Sequence, residues 1–148
     1  MNNEQIQANQ IIIATGARLS KLPVNGIEHV VTHVELLEDR VLPKHIVILG
    51  GGVVAMEFAY LYARAGVDVS VVVTTGHRIL RRYDESVRET VVEYGQKIGI
   101  KFYLDSIIEE IRKDNDSLTI EIHLDSQKSL LRADRYCLQQ DRFLMSIT

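Results

Sequence analysis

The residues best suited to chemistry are three glycines and a small residue that follow an apolar run. Gly50, Gly51 and Gly52 come directly after residues 45–49, and Ala55 stands three positions beyond the last glycine. In this spacing the first glycine permits a tight turn, the last lets backbone approach a diphosphate, and the alanine lets a helix pack closely on a strand. The amides and dipole at the start of that helix would favour an anion. The pattern predicts a dinucleotide-binding turn, and a tight turn without a ligand is the alternative.

The position expected to bind the adenosine ribose carries no acid. Such an acid lies about 20 residues after the glycines, at the carboxyl end of the next strand. Val73 stands there, and Thr74 and Thr75 follow it, whereas Asp68 falls at the opposite end of the same run. An unphosphorylated ribose would therefore lack its usual carboxylate partner.

The next segment carries four basic side chains: His77, Arg78, Arg81 and Arg82. Threonine hydroxyls and guanidinium groups suit a 2′-phosphate. The missing acid, together with these threonines and basic residues, favours NADP(H) over NAD(H). The alternative is a solvated charged loop that Asp84 and Glu85 neutralise.

Composition excludes several other kinds of site. Cys137 is the only cysteine, so this chain alone can form neither a disulfide nor a thiolate metal cluster, and the thiol is expected to be buried and inert. The five histidines show no recognisable ligand spacing, His123 is interpreted as a strand residue, and no metal is expected. A net charge of −3 favours neither nucleic acid nor an anionic membrane as partner. The polar first residues do not have the pattern of a signal peptide, and a cytoplasmic protein is expected.

The elements that must position the glycine turn form a strand–helix–strand unit. Residues 45–49 read as a strand buried on both faces, 53–65 as a helix with Gly66 at its end, and 67–73 as a second buried strand. A further helix is predicted from Asp84 to about residue 98, followed by a third parallel strand at 100–104.

Shorter elements flank this unit. Residues 11–16 predict a short buried strand closed by a glycine turn. Thr32 and Glu35 have the spacing of a capping box, which predicts a short helix to about residue 39. Alternating segments at 107–112, 118–124 and 130–131 predict an antiparallel meander, and 134–138 is one more candidate strand. The predicted fold is α/β, a Rossmann-like parallel sheet with helices and an antiparallel β-meander crossover.

Two motifs in this order resemble the pyridine nucleotide-disulfide oxidoreductases, a family of FAD-dependent flavoproteins. Residues 11–16 are similar to the Ala-Thr-Gly strand that leads from the family's FAD domain into its nucleotide domain. Residues 50–57, Gly-Gly-Gly-Val-Val-Ala-Met-Glu, resemble the family's second dinucleotide motif. The resemblance implies that residues 1–16 end the FAD-domain connection and 17–138 form the NAD(P)-binding domain. Residues 139–148 depart from the family and form a divergent tail.

The resemblance also implies roles for single residues. The two outer glycines of the turn and its alanine would hold the pyrophosphate. Glu57 matches a glutamate near the nicotinamide that pairs with a flavin-side lysine, and Val53 matches a residue that covers the nicotinamide pocket. Thr74 and Arg81 fall close to positions used for the 2′-phosphate. Without the resemblance, Glu57 would be interpreted as a surface carboxylate near Arg64.

The resemblance assigns no catalytic residue to this chain. The family's redox-active cysteine pair, its first dinucleotide motif and its interface domain find no match here. We therefore expect a domain that binds NADP or NAD weakly and does not turn over by itself. Its partner would be the FAD domain of a complete, homodimeric enzyme, with most of the FAD bound outside this chain. Two alternatives stay open: a degenerate structural or interaction domain, and a turn that binds FAD itself.

Overall fold

The computed structural model describes residues 5–14, 16–19, 22–76, 78–115, 117–124, 127–138 and 142–144, with no side-chain description for 17–19 and 142–144. The predictions for Thr15, His77 and most of the tail at 139–148 lie outside the described residues.

The described elements alternate between strands and helices before a run of strands. The strands are β1 (Ala17–Leu19), β2 (Val31–Thr32), β3 (His45–Leu49), β4 (Asp68–Thr74), β5 (Lys101–Asp114), β6 (Ser117–Leu124), β7 (Gln127–Ala133), β8 (Arg135–Leu138) and β9 (Arg142–Leu144). The helices are α1 (His33–Glu38), α2 (Val53–Arg64) and α3 (Glu85–Lys97). None of these helices is long and apolar enough to cross a membrane.

The main sheet has seven strands in the order β2-β8-β3-β4-β5-β6-β7. Strands β2, β8, β3, β4 and the first part of β5 run parallel, while β5, β6 and β7 pair antiparallel. Strands β1 and β9 form a separate antiparallel pair. The predicted fold class, a parallel sheet with helices and a meander, is confirmed.

Strand β3 is buried on both faces, as its unbroken apolar sequence predicts. Ile46 and Ile48 join the core cluster that contains the apolar face of α2. Val47 and Leu49, which point to the other face because side chains alternate along a strand, join the cluster formed with the meander. Helix α2 and the meander thus cover opposite faces of the sheet and hold the end of β3 in place.

Strand β5 corrects the prediction of separate strands at 100–104 and 107–112. It is one element of 14 residues that pairs parallel with β4 up to Ser106 and antiparallel with β6 from Ile107. Asp105 lies between the two halves with φ of 51°, and the pairing with β4 shifts register there. An irregular residue bends a strand without ending it, so no loop is needed between the parallel sheet and the meander.

The N-terminal apolar run also differs from its prediction. Ile11, Ile12 and Ile13 are 80%, 90% and 71% exposed and form no strand. A strand of this kind is stable only when its backbone pairs with another strand and its side chains are covered. No strand in the described part of the chain pairs with this run.

The helix boundaries follow the predicted capping residues. The Glu35 carboxylate accepts a hydrogen bond from the Thr32 amide at 2.6 Å, and Thr32 Oγ1 accepts one from the Glu35 amide at 3.4 Å. The first of these bonds lowers the pKa of Glu35. Asp84 occupies the N-cap position of α3, as predicted, but its side chain makes no capping hydrogen bond. The predicted capping box at Thr32 is confirmed.

Tyr136 connects the parallel sheet to the meander, and its hydroxyl is a testable source of stability. The side chain is fully buried, and its hydroxyl donates to the Leu131 carbonyl at 2.6 Å and lies 3.2 Å from the Leu118 carbonyl. We expect Tyr136→Phe to lower the free energy of unfolding by about 1 kcal/mol, the usual net value of such a bond. Urea denaturation measures the loss. Tyr83→Phe, at a half-exposed ring, serves as the control and should change stability little. Equal effects of the two substitutions would contradict the assignment.

Candidate functional site

The glycine turn lies at a switch point of the sheet, where the chain continues from β3 to β4 on one side and returns in β8 on the other. Strand β3 is flanked by β4, which follows it through α2, and by β8, which comes from the far end of the chain. All three strands are parallel, so their carboxyl ends share one edge. In open α/β sheets, ligands bind outside the carboxyl ends at such a switch point. The topology places residues 50–52 at that point.

Gly50 makes the turn itself. Its φ of 132° is a conformation that side chains rarely adopt, and its amide donates to the Val72 carbonyl at 2.9 Å. The chain therefore leaves β3 while still hydrogen-bonded to β4. The predicted role of Gly50 in the tight turn is confirmed.

Gly51 is small because the protein packs against it. A Cβ atom there would lie 3.1 Å from Ile79 Cα and 3.2 Å from the Arg78 carbonyl oxygen. The Gly51 carbonyl accepts a hydrogen bond from the Leu80 amide at 2.7 Å. The atoms closest to that Cβ position therefore belong to the segment that follows β4 and to the Val73 side chain near the end of β4, 3.2 Å away.

Gly52 is not required by the packing of the described residues. A Cβ atom there would meet nothing within 4 Å, and the residue is exposed, with ordinary extended angles of φ −76° and ψ 177°. It is the N-cap of α2, it offers no side chain to cap the helix, and the first turn of α2 contains no acid. The start of α2 is consequently open to an external anion.

The predicted residues on α2 occupy two faces. Ala55 is fully buried, which agrees with its predicted packing role. Val53 is 45% exposed and Glu57 is also exposed, one helical turn apart on the outer face. Arg64 donates a hydrogen bond to the Tyr94 hydroxyl and lies 5.8 Å from the centre of that ring. The main described contact of Arg64 is thus with α3.

The end of β4 carries the predicted ribose-side residues. Thr74 closes the strand at the same edge as the glycine turn. Thr75 follows it, but its hydroxyl donates to the Asp105 carbonyl at 2.9 Å and its amide to the Ser106 carbonyl, also at 2.9 Å. The Thr75 hydroxyl hydrogen is therefore engaged by the protein, which weakens its predicted use as a phosphate donor.

The acid of β4 lies at the far end of the strand, as the sequence predicts. Asp68 forms an ion pair with Lys101 at 3.0 Å. The segment beyond the carboxyl end is instead basic, because Arg78, Arg81 and Arg82 are all exposed there. This charge distribution suits an anion at the carboxyl edge.

Sequence reasoning missed two residues of this region, Ile79 and Leu80. They stand within the charged run but are only 4% and 9% exposed, and they belong to the core cluster beneath α2. The available signal was an apolar pair inside a basic segment. The pair holds the segment against the glycine turn.

A second group of polar side chains lies on the meander. Carboxylate atoms of Glu109 and Glu121 and a ring nitrogen of His123 fall within 4.8 Å of one another, close enough to hold a metal ion. Histidine spacing could not reveal this group because Glu109 comes from the neighbouring strand. Lys128 already pairs with Glu121, and its hydrogen bond lowers the pKa of that carboxyl group. The group therefore carries a balancing cation of its own.

Comparisons with known proteins agree on one family. A family model described as pyridine nucleotide-disulphide oxidoreductase matches residues 1–140. Dihydrolipoyl dehydrogenase of Zymomonas mobilis is 34% identical over 79% of this chain and 25% of its own length. Mercuric reductase of Bacillus cereus is 25% identical over 96% of this chain and 23% of its own length. The HOCl-induced flavoprotein disulfide reductase RclA of Escherichia coli superposes with a TM-score of 0.79 at 25% identity, over 90% of this chain and 30% of RclA. The chain spans about a quarter of the length of these curated relatives.

Proposed function

The chain belongs to the pyridine nucleotide-disulphide oxidoreductase family, and on that premise we propose that it is the NAD(P)H-binding domain of an FAD-dependent oxidoreductase. The observation that carries the proposal is the open backbone at Gly52. A glycine stands where the packing of the described residues does not require one, at an uncapped helix start on the carboxyl edge of the sheet. A closely approaching diphosphate supplies the missing reason.

The charges around the turn support NADP(H) as the preferred nucleotide. Thr74 ends β4 in place of an acid, and exposed arginines follow at 78, 81 and 82. A 2′-phosphate would gain charge-assisted hydrogen bonds from such groups, whereas an unphosphorylated ribose would find no carboxylate. We assign Arg78 and Arg81 to the 2′-phosphate, with Thr74 beside them.

The complete enzyme would pass a hydride between nicotinamide and FAD, chemistry that the flavin supplies when bound. Val53 and Glu57 lie on the outer face of α2, where they could border the nicotinamide and the flavin side of the enzyme. The exposed isoleucines at 11–13 suit a connection that an FAD domain would cover. The domain bounds at 16 and 138, the homodimeric state and the cytoplasmic location stay predictions.

Calorimetric titration of the chain with NADPH and NADH tests the proposal. We expect heat with both nucleotides, a smaller dissociation constant for NADPH, and no turnover with either nucleotide. A bound nucleotide must also raise the melting temperature, because it stabilises only the native state. Absence of heat and of a thermal shift with both nucleotides would refute the proposal and favour a structural domain. A purified chain that retains a yellow flavin would instead favour FAD as the ligand of this turn.

A further inference from the structure

One hydrogen bond joins the two parts of the nucleotide site. The Leu80 amide donates to the Gly51 carbonyl at 2.7 Å, which ties residues 78–82, here called the arginine segment, to the glycine turn. The Tyr83 amide in turn donates to the Leu80 carbonyl at 2.8 Å. The backbone that carries the exposed arginines is therefore held at both sides of Leu80.

Leu80 adopts a conformation that its side chain disfavours. Its φ is 47°, in the left-handed region where leucine is rare. Residues keep such conformations only when their surroundings impose them, and such residues cluster at functional sites. Here the constraint comes from the hydrogen bond to Gly51 and from the buried side chains of Ile79 and Leu80.

The same peptide unit also directs the ligand-facing amide. The described chain contains no cis peptide bond, so the Gly51–Gly52 unit is planar and trans, and its carbonyl and amide point in opposite directions. Since the Gly51 oxygen points to Leu80, the Gly52 amide points away from the arginine segment. The Gly51–Gly52 peptide thus fixes both the position of the arginine segment and the direction of the Gly52 amide.

We propose that the Gly51–Leu80 contact is a positioning device that sets the selectivity of this site for a phosphorylated adenosine ribose. The inference rests on the proposed function and deepens it. Arginine side chains are flexible, and a charged fork binds a phosphate more tightly when its backbone is already placed. Gly51 and Leu80 touch no ligand in this scheme, and they act through Arg78 and Arg81.

Gly51→Ala tests the device with little effect on the turn. Gly51 does not have the left-handed φ that would exclude alanine, and the new methyl group would meet backbone atoms of Ile79 and Arg78 at 3.1 and 3.2 Å and the Val73 side chain at 3.2 Å. Those atoms must move by a few tenths of an ångström, which displaces the arginine segment. We expect the dissociation constant for NADPH to rise by about fivefold to tenfold, because preorganisation is lost. The dissociation constant for NADH should stay within about a factor of two, since NADH lacks the 2′-phosphate that the arginine segment binds.

Gly52→Ala is the matched variant, since its methyl group enters open space in the folded chain. Gly52→Ala should weaken the binding of NADPH and of NADH by the same factor, because the methyl group obstructs the diphosphate that both nucleotides share. Leu80→Asn gives a second route, since asparagine tolerates the left-handed conformation and keeps the amide but loses the buried side chain. Leu80→Asn should reproduce the selective loss of affinity for NADPH.

The outcomes separate this inference from the proposed function. If the unmodified chain binds neither nucleotide, the proposed function is wrong and the inference falls with it. If it binds both without preferring NADPH, the proposed function stands and the positioning role is wrong. The positioning role would likewise be wrong if a Gly51→Ala chain bound both nucleotides as before, or lost affinity for both by the same factor.

Discussion

Replacing Gly52 with aspartate is expected to abolish nucleotide binding while leaving the chain as stable as before, or slightly more stable. The loss of binding and the gain in stability have the same cause. Gly52 is the N-cap of α2 with extended backbone angles, and aspartate is among the best N-cap residues. The carboxylate would satisfy the amides that an anionic ligand would otherwise use.

The loss of binding should exceed a hundredfold. Two unit charges about 4 Å apart repel by about 4 kcal/mol at the effective dielectric constant of about 20 that applies near a protein surface. A diphosphate beside the new carboxylate would meet that repulsion and also lose its amide donors. Calorimetry with NADPH measures the affinity, and thermal unfolding without ligand measures the stability.

Leu61→Asp is the matched control. It adds the same charge to the same helix at an exposed position, nine residues and about 13 Å along α2. That distance is beyond the screening length of about 10 Å at 0.1 M salt, so binding should change little. A Gly52→Asp chain that still binds NADPH like the unmodified one would show that the diphosphate does not approach this helix start.

Replacing Gly26 with alanine is expected to destabilise the chain more than alanine at Gly51, Gly52 or Gly66. Gly26 has φ of 83°, and a Cβ atom would lie 1.8 Å from the Ile111 carbonyl oxygen. The neighbouring Asn25 carbonyl accepts a hydrogen bond from the Ile111 amide at 2.9 Å, so the two backbones cannot separate without breaking it. Three causes add: left-handed strain, steric overlap and a lost contact between this loop and β5.

We expect Gly26→Ala to lower the free energy of unfolding by at least about 3 kcal/mol, in the range of severe single substitutions. Gly66→Ala separates the causes, because Gly66 has a similar φ of 85° but open space around it. It should cost only the strain of a left-handed residue, about 1–2 kcal/mol. Urea denaturation of both variants measures the difference. Equal losses would mean that the backbone of Ile111 does not constrain the loop.

Local patterns were sufficient to predict most of the elements that build the site. The apolar run of β3, the glycine turn and α2 were each predicted from a few adjacent residues, because burial on two faces, a tight turn and helical periodicity leave direct marks in sequence. The capping box at Thr32 and the missing acid at the end of β4 were read in the same way. The family assignment followed from two such motifs in order.

Other features depended on residues that are distant in sequence. The strand predicted at 11–16 did not form in the described chain, because pairing depends on a partner and not on β-branched residues alone. Strand β5 continued through Asp105 because β4 and β6 pair with its two halves. Glu109 and His123 came together across two strands, which histidine spacing on one strand could not indicate.

The sequence by itself determined that a glycine turn follows a buried strand and that basic residues follow the next one. The sequence also predicted that Gly50 turns the chain and that Gly52 leaves its backbone open. The tertiary structure alone decided the role of Gly51, which receives the arginine segment. Identical residues differ in this way because a glycine's role depends on what a Cβ atom would meet there. That neighbour is set by chain segments about 25 or more positions away, such as Arg78 and Ile79 beside Gly51.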